Sequence, residues 1–174
     1  MPVDYLVLKK LESQALRGFN DVEEIAIELR AYLDEESTQE SLRDRHVVGA
    51  SSAGIQELIL DKARTLGFQS EKKRLFSNYP VSALRPDYYR PFGETGILLE
   101  VERGKTIANN MDLLDLWKCH ICPAAHYLFL IVPKIRPTAK GSSTRQFSHV
   151  AKRLAPFFDE TNYVNVDAVF LFGY

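Results

Sequence analysis

Three carboxylates in this chain stand at a spacing that can do chemistry. The stretch Arg85-Pro86-Asp87-Tyr88-Tyr89 is followed by Gly96-Ile97-Leu98-Leu99-Glu100-Val101-Glu102. Side chains alternate along a strand, so Leu98, Glu100 and Glu102 share one face while Ile97, Leu99 and Val101 share the other. Glu100 and Glu102 thus point the same way from a run that otherwise reads as buried. A carboxylate pair is costly to bury without a partner. A hard divalent cation such as Mg²⁺ satisfies several converging carboxylates at once, and Asp87, near the end of the preceding run, would be a third ligand. A single carboxylate on a strand is ordinarily a solvated edge residue, so the weight of the pattern comes from the elements around it.

Residues 5–45 read mostly as helix. Val22, Ile25, Ala26, Leu29 and Leu33 recur at helical spacing among charged residues, with Asn20 or Asp21 as a cap. The stretch Glu35–Glu40 reads as a loop. Ser51-Ser52 open a second helix with Ile55, Leu58, Ile59, Ala63 and Leu66 on one face, stopped by Gly67. Phe68–Phe76 and Val81–Tyr89 read as two strands about the turn Ser77-Asn78-Tyr79-Pro80. Pro91 and Gly93–Gly96 form the next turn, and Ile97–Glu102 is a strand closed by Gly104. A short helix carries Leu113, Leu114, Trp117 and Ile121. His126–Pro133 is a continuous apolar run suited to a strand buried on both faces. A basic loop over Pro133–Ser143, a helix over Ser143–Ala155 and a strand over Val164–Phe172 complete the chain. Three strands joined by turns predict an antiparallel meander, and the later strands alternate with helices. The expectation is an α/β fold with a mixed central sheet flanked by helices, in the order αβββαβαβ after an N-terminal helical extension. The predicted division is residues 1–48 for the extension and 49–174 for the core.

Composition permits this. The chain has 174 residues, 45% hydrophobic and 26% charged, enough for one domain with a proper core. It has no apolar run of about 18 residues and no basic-then-apolar leader, so a cytoplasmic protein away from membranes is expected. The net charge of −1 hides an asymmetry. Asp21–Asp44 holds nine acidic residues against two arginines, whereas Leu116–Phe158 holds none. The latter span carries Lys118, Lys134, Arg136, Lys140, Arg145, Lys152 and Arg153, which points to a polyanionic partner or to a solvated basic face. Cys119-His120-Ile121-Cys122 with His126 invites a zinc reading. A structural zinc site needs two separated ligand pairs, and only one is present. Packing and a helix end cap are the expected roles.

Helix, hairpin with Pro86-Asp87, strand with Glu100-Val101-Glu102, helix, apolar strand: this order resembles the PD-(D/E)XK nuclease superfamily, the restriction-endonuclease-like fold, over residues 51–172. The resemblance implies Mg²⁺, with Mn²⁺ as a substitute, held by Asp87 and Glu100. The third motif position, usually Lys, is Glu102 here, a variant carried by some restriction enzymes of this fold. Glu102 would bind the metal or orient the attacking water. Its sign is wrong for the electrostatic role of a lysine, which leaves Lys105 and Lys118 as the candidates to restore a positive charge. On the helical wheel Gln56 falls at the edge of the apolar face, as a weak site candidate, and Glu57 falls opposite it, on the surface.

The implied activity is a DNA endonuclease of the type II restriction-enzyme kind, and one site per chain favours a homodimer for cutting a duplex. Lys134, Arg136, Lys140 and Arg145 are the candidates to grip phosphates, with Tyr88 and Arg90 beside the metal site. The rival readings are a non-catalytic DNA-binding or assembly module that kept the fold, and an unrelated α/β protein whose basic face meets another polyanion. The last predicts that Asp87, Glu100 and Glu102 do not converge.

Overall fold

The computed structural model describes residues 2–11, 17–47, 53–70, 75–80, 84–104, 106–137 and 143–174. Its elements in order are β1 (Asp4–Lys9), α1 (Phe19–Asp34), α2 (Glu36–Arg45), α3 (Ala53–Thr65), β2 (Gln69–Ser70), β3 (Tyr88–Phe92), β4 (Thr95–Val101), α4 (Met111–Ile121), β5 (Tyr127–Val132), β6 (Ile135–Pro137), β7 (Ser143–Arg145), α5 (Gln146–Leu154), a 3₁₀ turn (Ala155–Phe158) and β8 (Ala168–Gly173). Six strands form one mixed sheet in the order β1-β8-β5-β4-β3-β2, and β6 pairs with β7 separately.

The expected meander is present, since β2 and β3, then β3 and β4, pair antiparallel. The later strands add in parallel, β4 to β5 and β5 to β8, with α4 and α5 as crossovers. Alternation on β4 sends Ile97, Leu99 and Val101 into a core with α1 and α3. Leu98 goes into a second core with Leu116 and Cys119 of α4 and Val150 and Leu154 of α5. The sheet is therefore covered by helices on both faces, and β5 and β8 are wholly buried. No helix among the described residues is long and apolar enough to cross a membrane.

Several expectations are corrected. Residues 5–45 are mostly helical as expected, through α1 and α2, but Tyr5-Leu6-Val7-Leu8 form part of β1, an edge strand antiparallel to β8. Phe19, Val22, Leu29 and Leu33 of α1 share a core with Ile55, Phe129 and Phe172, so this segment contributes a sheet edge and a core helix. The stretch Glu35–Glu40 is not a loop. Glu35 is extended (φ −58°, ψ 136°) and separates α1 from α2, which buries Thr38 and Leu42 one turn apart. The first hairpin pairs only Gln69 with Tyr89 and Ser70 with Tyr88. Residues 71–74 and 81–83 of its predicted strands lie outside the described residues. Asp87 leads into β3 rather than ending it, and Pro91 lies within β3 opposite Gly96. The turn to β4 is Gly93-Glu94, with Gly93 left-handed at φ 54°. The basic loop begins as β6, and the final helix starts at Gln146 after β7.

The stop at Gly67 is as expected. Its φ of 81° lets Phe68 N–H reach Ala63 O at 2.9 Å and Gly67 N–H reach Arg64 O at 2.9 Å.

Candidate active site

A cleft of about 620 Å³ opens at the C-terminal end of β4, between α3, the Arg85–Asp87 segment and α4. Asp87, Glu100 and Glu102 line it together with Gln56 and Lys118. The three predicted carboxylates thus meet in one place.

Backbone and side chains fix Asp87 from two directions. Its Oδ2 accepts from Val101 N–H of β4 at 2.9 Å, and its Oδ1 accepts from Gln56 Nε2 of α3 at 3.0 Å. The Asp87 N–H donates to Glu100 Oε2 at 3.2 Å. Gln56 is itself held by the strand that follows, because Tyr88 Oη donates to Gln56 O at 3.0 Å. Glu57 is exposed on the opposite side of α3, as its place on the helical wheel predicts.

Glu100 is only 3% exposed. The Lys118 ammonium lies 2.5 Å from Glu100 Oε1 and 2.9 Å from Asp115 Oδ1, forming a buried ion-pair cluster between β4 and α4. Lys118 Nζ also reaches Arg85 O at 3.5 Å. Asp115 Oδ2 has no hydrogen-bond partner among the described residues. Glu102 lies just past β4, where its N–H donates to Ile131 O at 2.8 Å and its Oε2 accepts from Thr106 Oγ1 at 3.4 Å.

The cluster holds more negative charge than Lys118 neutralises. Burial first, then Asp115 and Asp87, push the Glu102 carboxyl up to about 8. Burial, then Asp115 and Asp87, raise Glu100 well above the usual carboxylate range, with Lys118 opposing. Burial pushes Asp115 up to about 6 against the pull of Lys118. Burial likewise raises Asp87, offset by the Val101 hydrogen bond and by Lys118. Burial tends to lower Lys118, yet Glu100 and Asp115 outweigh it and hold the ammonium protonated.

No family model matches the chain, and no curated protein is significantly similar to it.

The donor set is chemically suited to a hard divalent cation: oxygen ligands only, an excess of buried negative charge, and an unpartnered carboxylate oxygen. Among the described residues no group of three or more His, Cys, Asp or Glu side chains is placed to hold a metal ion without adjustment. Each Asp87 oxygen accepts one hydrogen bond, which leaves it a further lone pair, and Lys118 is paired with Glu100.

The remaining predicted residues fall in different places. Lys105 and Lys140 lie outside the described residues. Tyr88 is 6% exposed and belongs to the core with Ile97 and Phe129. Arg90 lies apart from the carboxylates. It lines a different pocket, with Asp21 and Glu24, and its Nη1 donates to Leu66 O at 2.5 Å at the end of α3. Lys134 ties down the N-terminal segment through Pro2 O and through Asp4 at 3.7 Å. Arg136 and Arg145 belong to the β6–β7 pair, which follows β5 at the same end of the parallel strands as Glu102.

Cys119 and Cys122 are both buried, and His120 Nδ1 accepts from Asn165 N–H at 2.9 Å, so this cluster packs and caps. Sequence reasoning missed Asp115, Arg85 and Arg103. The first had one signal, its position three residues before Lys118 on the same helix. The two arginines directly flank the acidic motifs, Arg85 before Pro86-Asp87 and Arg103 after Glu102.

Proposed function

We propose that the chain is a metal-dependent endonuclease acting on DNA, a variant of the PD-(D/E)XK nuclease superfamily with Glu-Val-Glu in place of the usual third-motif lysine. The observation that carries this reading is the convergence of Asp87, Glu100, Glu102 and Lys118 on one cleft, from a strand pair and a crossover helix. The mixed sheet with its α3-β2-β3-β4-α4-β5 order supports it, as that is the element order expected of a restriction-endonuclease-like core.

Asp87 and Glu100 would hold Mg²⁺, with Glu102 beside them. When bound, the cation supplies Lewis-acid polarisation of the scissile phosphate. Glu102 would orient the attacking water or take its proton. Lys118 arrives from α4 rather than from the strand, and its ammonium is the positive charge that Glu102 cannot provide. It would stabilise negative charge developing at phosphorus. Gln56 orients Asp87.

The test is cleavage of plasmid DNA with Mg²⁺ or Mn²⁺ by the wild type, Asp87→Ala and Glu100→Ala. Metal-dependent cutting that falls about a thousandfold or more in both variants is the expected result. DNA binding with no cutting under any condition would move the reading to a non-catalytic relative. That second reading is favoured by one observation, the Lys118 ammonium already paired with Glu100 and Asp115.

A further inference from the structure

Two arginines line the same cleft, and among the described residues neither forms an ion pair with its carboxylates, although the charge of Arg85 helps to hold the Asp87 carboxyl down. Arg85 is exposed on the wall formed by the segment before β3, and Arg103 is half-buried just past Glu102. Of the other half-buried cations, Lys62 pairs with Glu28 at 2.8 Å and Arg153 with Asp112 at 3.1 Å. Among the described residues neither Arg85 nor Arg103 has an ion-pair partner, although three carboxylates line the cleft with them. The Nε of Arg103 is buried and lacks a hydrogen-bond partner among the described residues. An unmatched, half-buried guanidinium is costly to keep, and its planar fork suits phosphate oxygens.

The position of Arg103 also sets a direction. Its Nη2 donates to Val47 O, and the neighbouring His46 Nε2 donates to Ile135 O of β6 at 2.9 Å. Arg103 is thus linked through His46 and Val47 to β6, whose pair with β7 carries Arg136 and Arg145.

We propose that Arg85 and Arg103 are the phosphate-binding pair of the cleft. They grip the DNA backbone on either side of the carboxylates, on a line from Arg85 past Glu100 and Glu102 to Arg103 and on to Arg136 and Arg145. This rests on the nuclease reading and adds to it the path of the substrate and the residues that hold it. The carboxylates repel phosphate until a cation is bound. The flanking guanidinium groups offset that repulsion and place one phosphate between them.

The test separates binding from cutting. Fluorescence anisotropy with a labelled DNA duplex in EDTA, and again in Ca²⁺, measures affinity across a salt series. Arg85→Ala and Arg103→Met are compared with the wild type, with Arg103→Lys, which keeps the charge, and with Arg64→Ala, an exposed arginine outside the cleft. Each charge-removing variant is expected to flatten the slope of log K against log salt by about 0.9, the increment for one neutralised phosphate. Each should also weaken binding about three- to tenfold at moderate salt. Arg103→Lys should restore the slope, and Arg64→Ala should leave it unchanged. If Arg103→Met unfolds, Arg85→Ala and Arg103→Lys carry the test. A wild type that cuts DNA, with Arg85→Ala and Arg103→Met matching its slope and affinity, would overturn this inference and leave the nuclease reading standing. A wild type that neither binds nor cuts would overturn both.

Discussion

Lys118 reaches from α4 to Glu100 of β4 and places its ammonium 2.5 Å from Oε1, while Asp115 holds the same nitrogen from one helical turn away at 2.9 Å. A single buried cation thus joins the two elements that form the floor of the cleft. Removing it strands two buried carboxylates. Lys118→Met should therefore destabilise the fold by about 3 kcal/mol, because an uncompensated buried charge costs more than the pair gained. Urea unfolding of Lys118→Met, Asp115→Asn and the double variant should give a coupling of about 1–3 kcal/mol between the two sites. Additive effects would mean that the ammonium serves Glu100 alone.

Glu102 gives a pH dependence whose sign can be worked out. Its folded-state carboxyl titrates at about 8, well above the ordinary value of 4.5. Between those two values the folded chain keeps a proton that the unfolded chain has lost, so this group makes stability fall as pH rises through that window. Above it the penalty is complete. Glu102→Gln should gain up to about 5 kcal/mol at pH 9 without metal, and close to nothing near the low end of the window. Thermal unfolding of both proteins across pH checks this. A gain that does not vary with pH would assign the effect to packing.

Gln56 should matter for metal affinity more than for stability. It donates to Asp87 Oδ1 at 3.0 Å and fixes the carboxylate from the side opposite Val101. Loss of a hydrogen bond that orients a ligand typically costs about 10- to 100-fold in metal affinity or activity. Gln56→Leu should accordingly shift a Mg²⁺ titration of DNA cleavage to higher metal by about that factor. Glu57→Leu, one residue on and exposed, should leave the titration in place.

Gly96 admits no side chain. A Cβ there would lie 2.5 Å from the Ala124 carbonyl oxygen and 2.4 Å from the Tyr89 ring. The ring can turn, but the carbonyl belongs to the turn before β5. Gly96→Ala should cost about 2–4 kcal/mol in chemical denaturation. Gly104→Ala, where a Cβ would meet nothing within 4 Å, should change stability by less than about 0.5 kcal/mol.

What could be read from the sequence follows from what is local. Alternation on β4 puts Glu100 on the face away from Ile97 and Leu99, and the structure has it there, because a two-residue period survives any tertiary context. Gly67 ends α3 for an equally local reason. What escaped depends on partners distant in the chain. The run Tyr5–Leu8 is too short to distinguish helix from strand, and only β8 settles it. Tyr88 and Tyr89 are adjacent, and which of the two cores each one joins is fixed by register with Leu99 and Leu98. Lys134 was expected to be available to phosphate, but the N-terminal segment comes back to claim it through Asp4 and Pro2. Asp115 could be placed beside Lys118 by helical spacing, yet nothing in the sequence tells that Glu100 faces both.

The β1–β8 ladder has a consequence for how the chain is made. Asp4 pairs with Gly173 and Lys9 with Ala168, so β1 finds its partner only in a strand made much later in the chain. During synthesis β1 is an unsatisfied strand that travels with the growing chain while α1 and α3 are already able to collapse. Contacts this far apart in sequence carry the largest loop-closure entropy and slow folding accordingly. Until β8 is made, Tyr5, Leu6, Val7 and Leu8 lack their partner strand; pairing with β8 then satisfies one side of β1 and leaves its other side as the edge of the sheet.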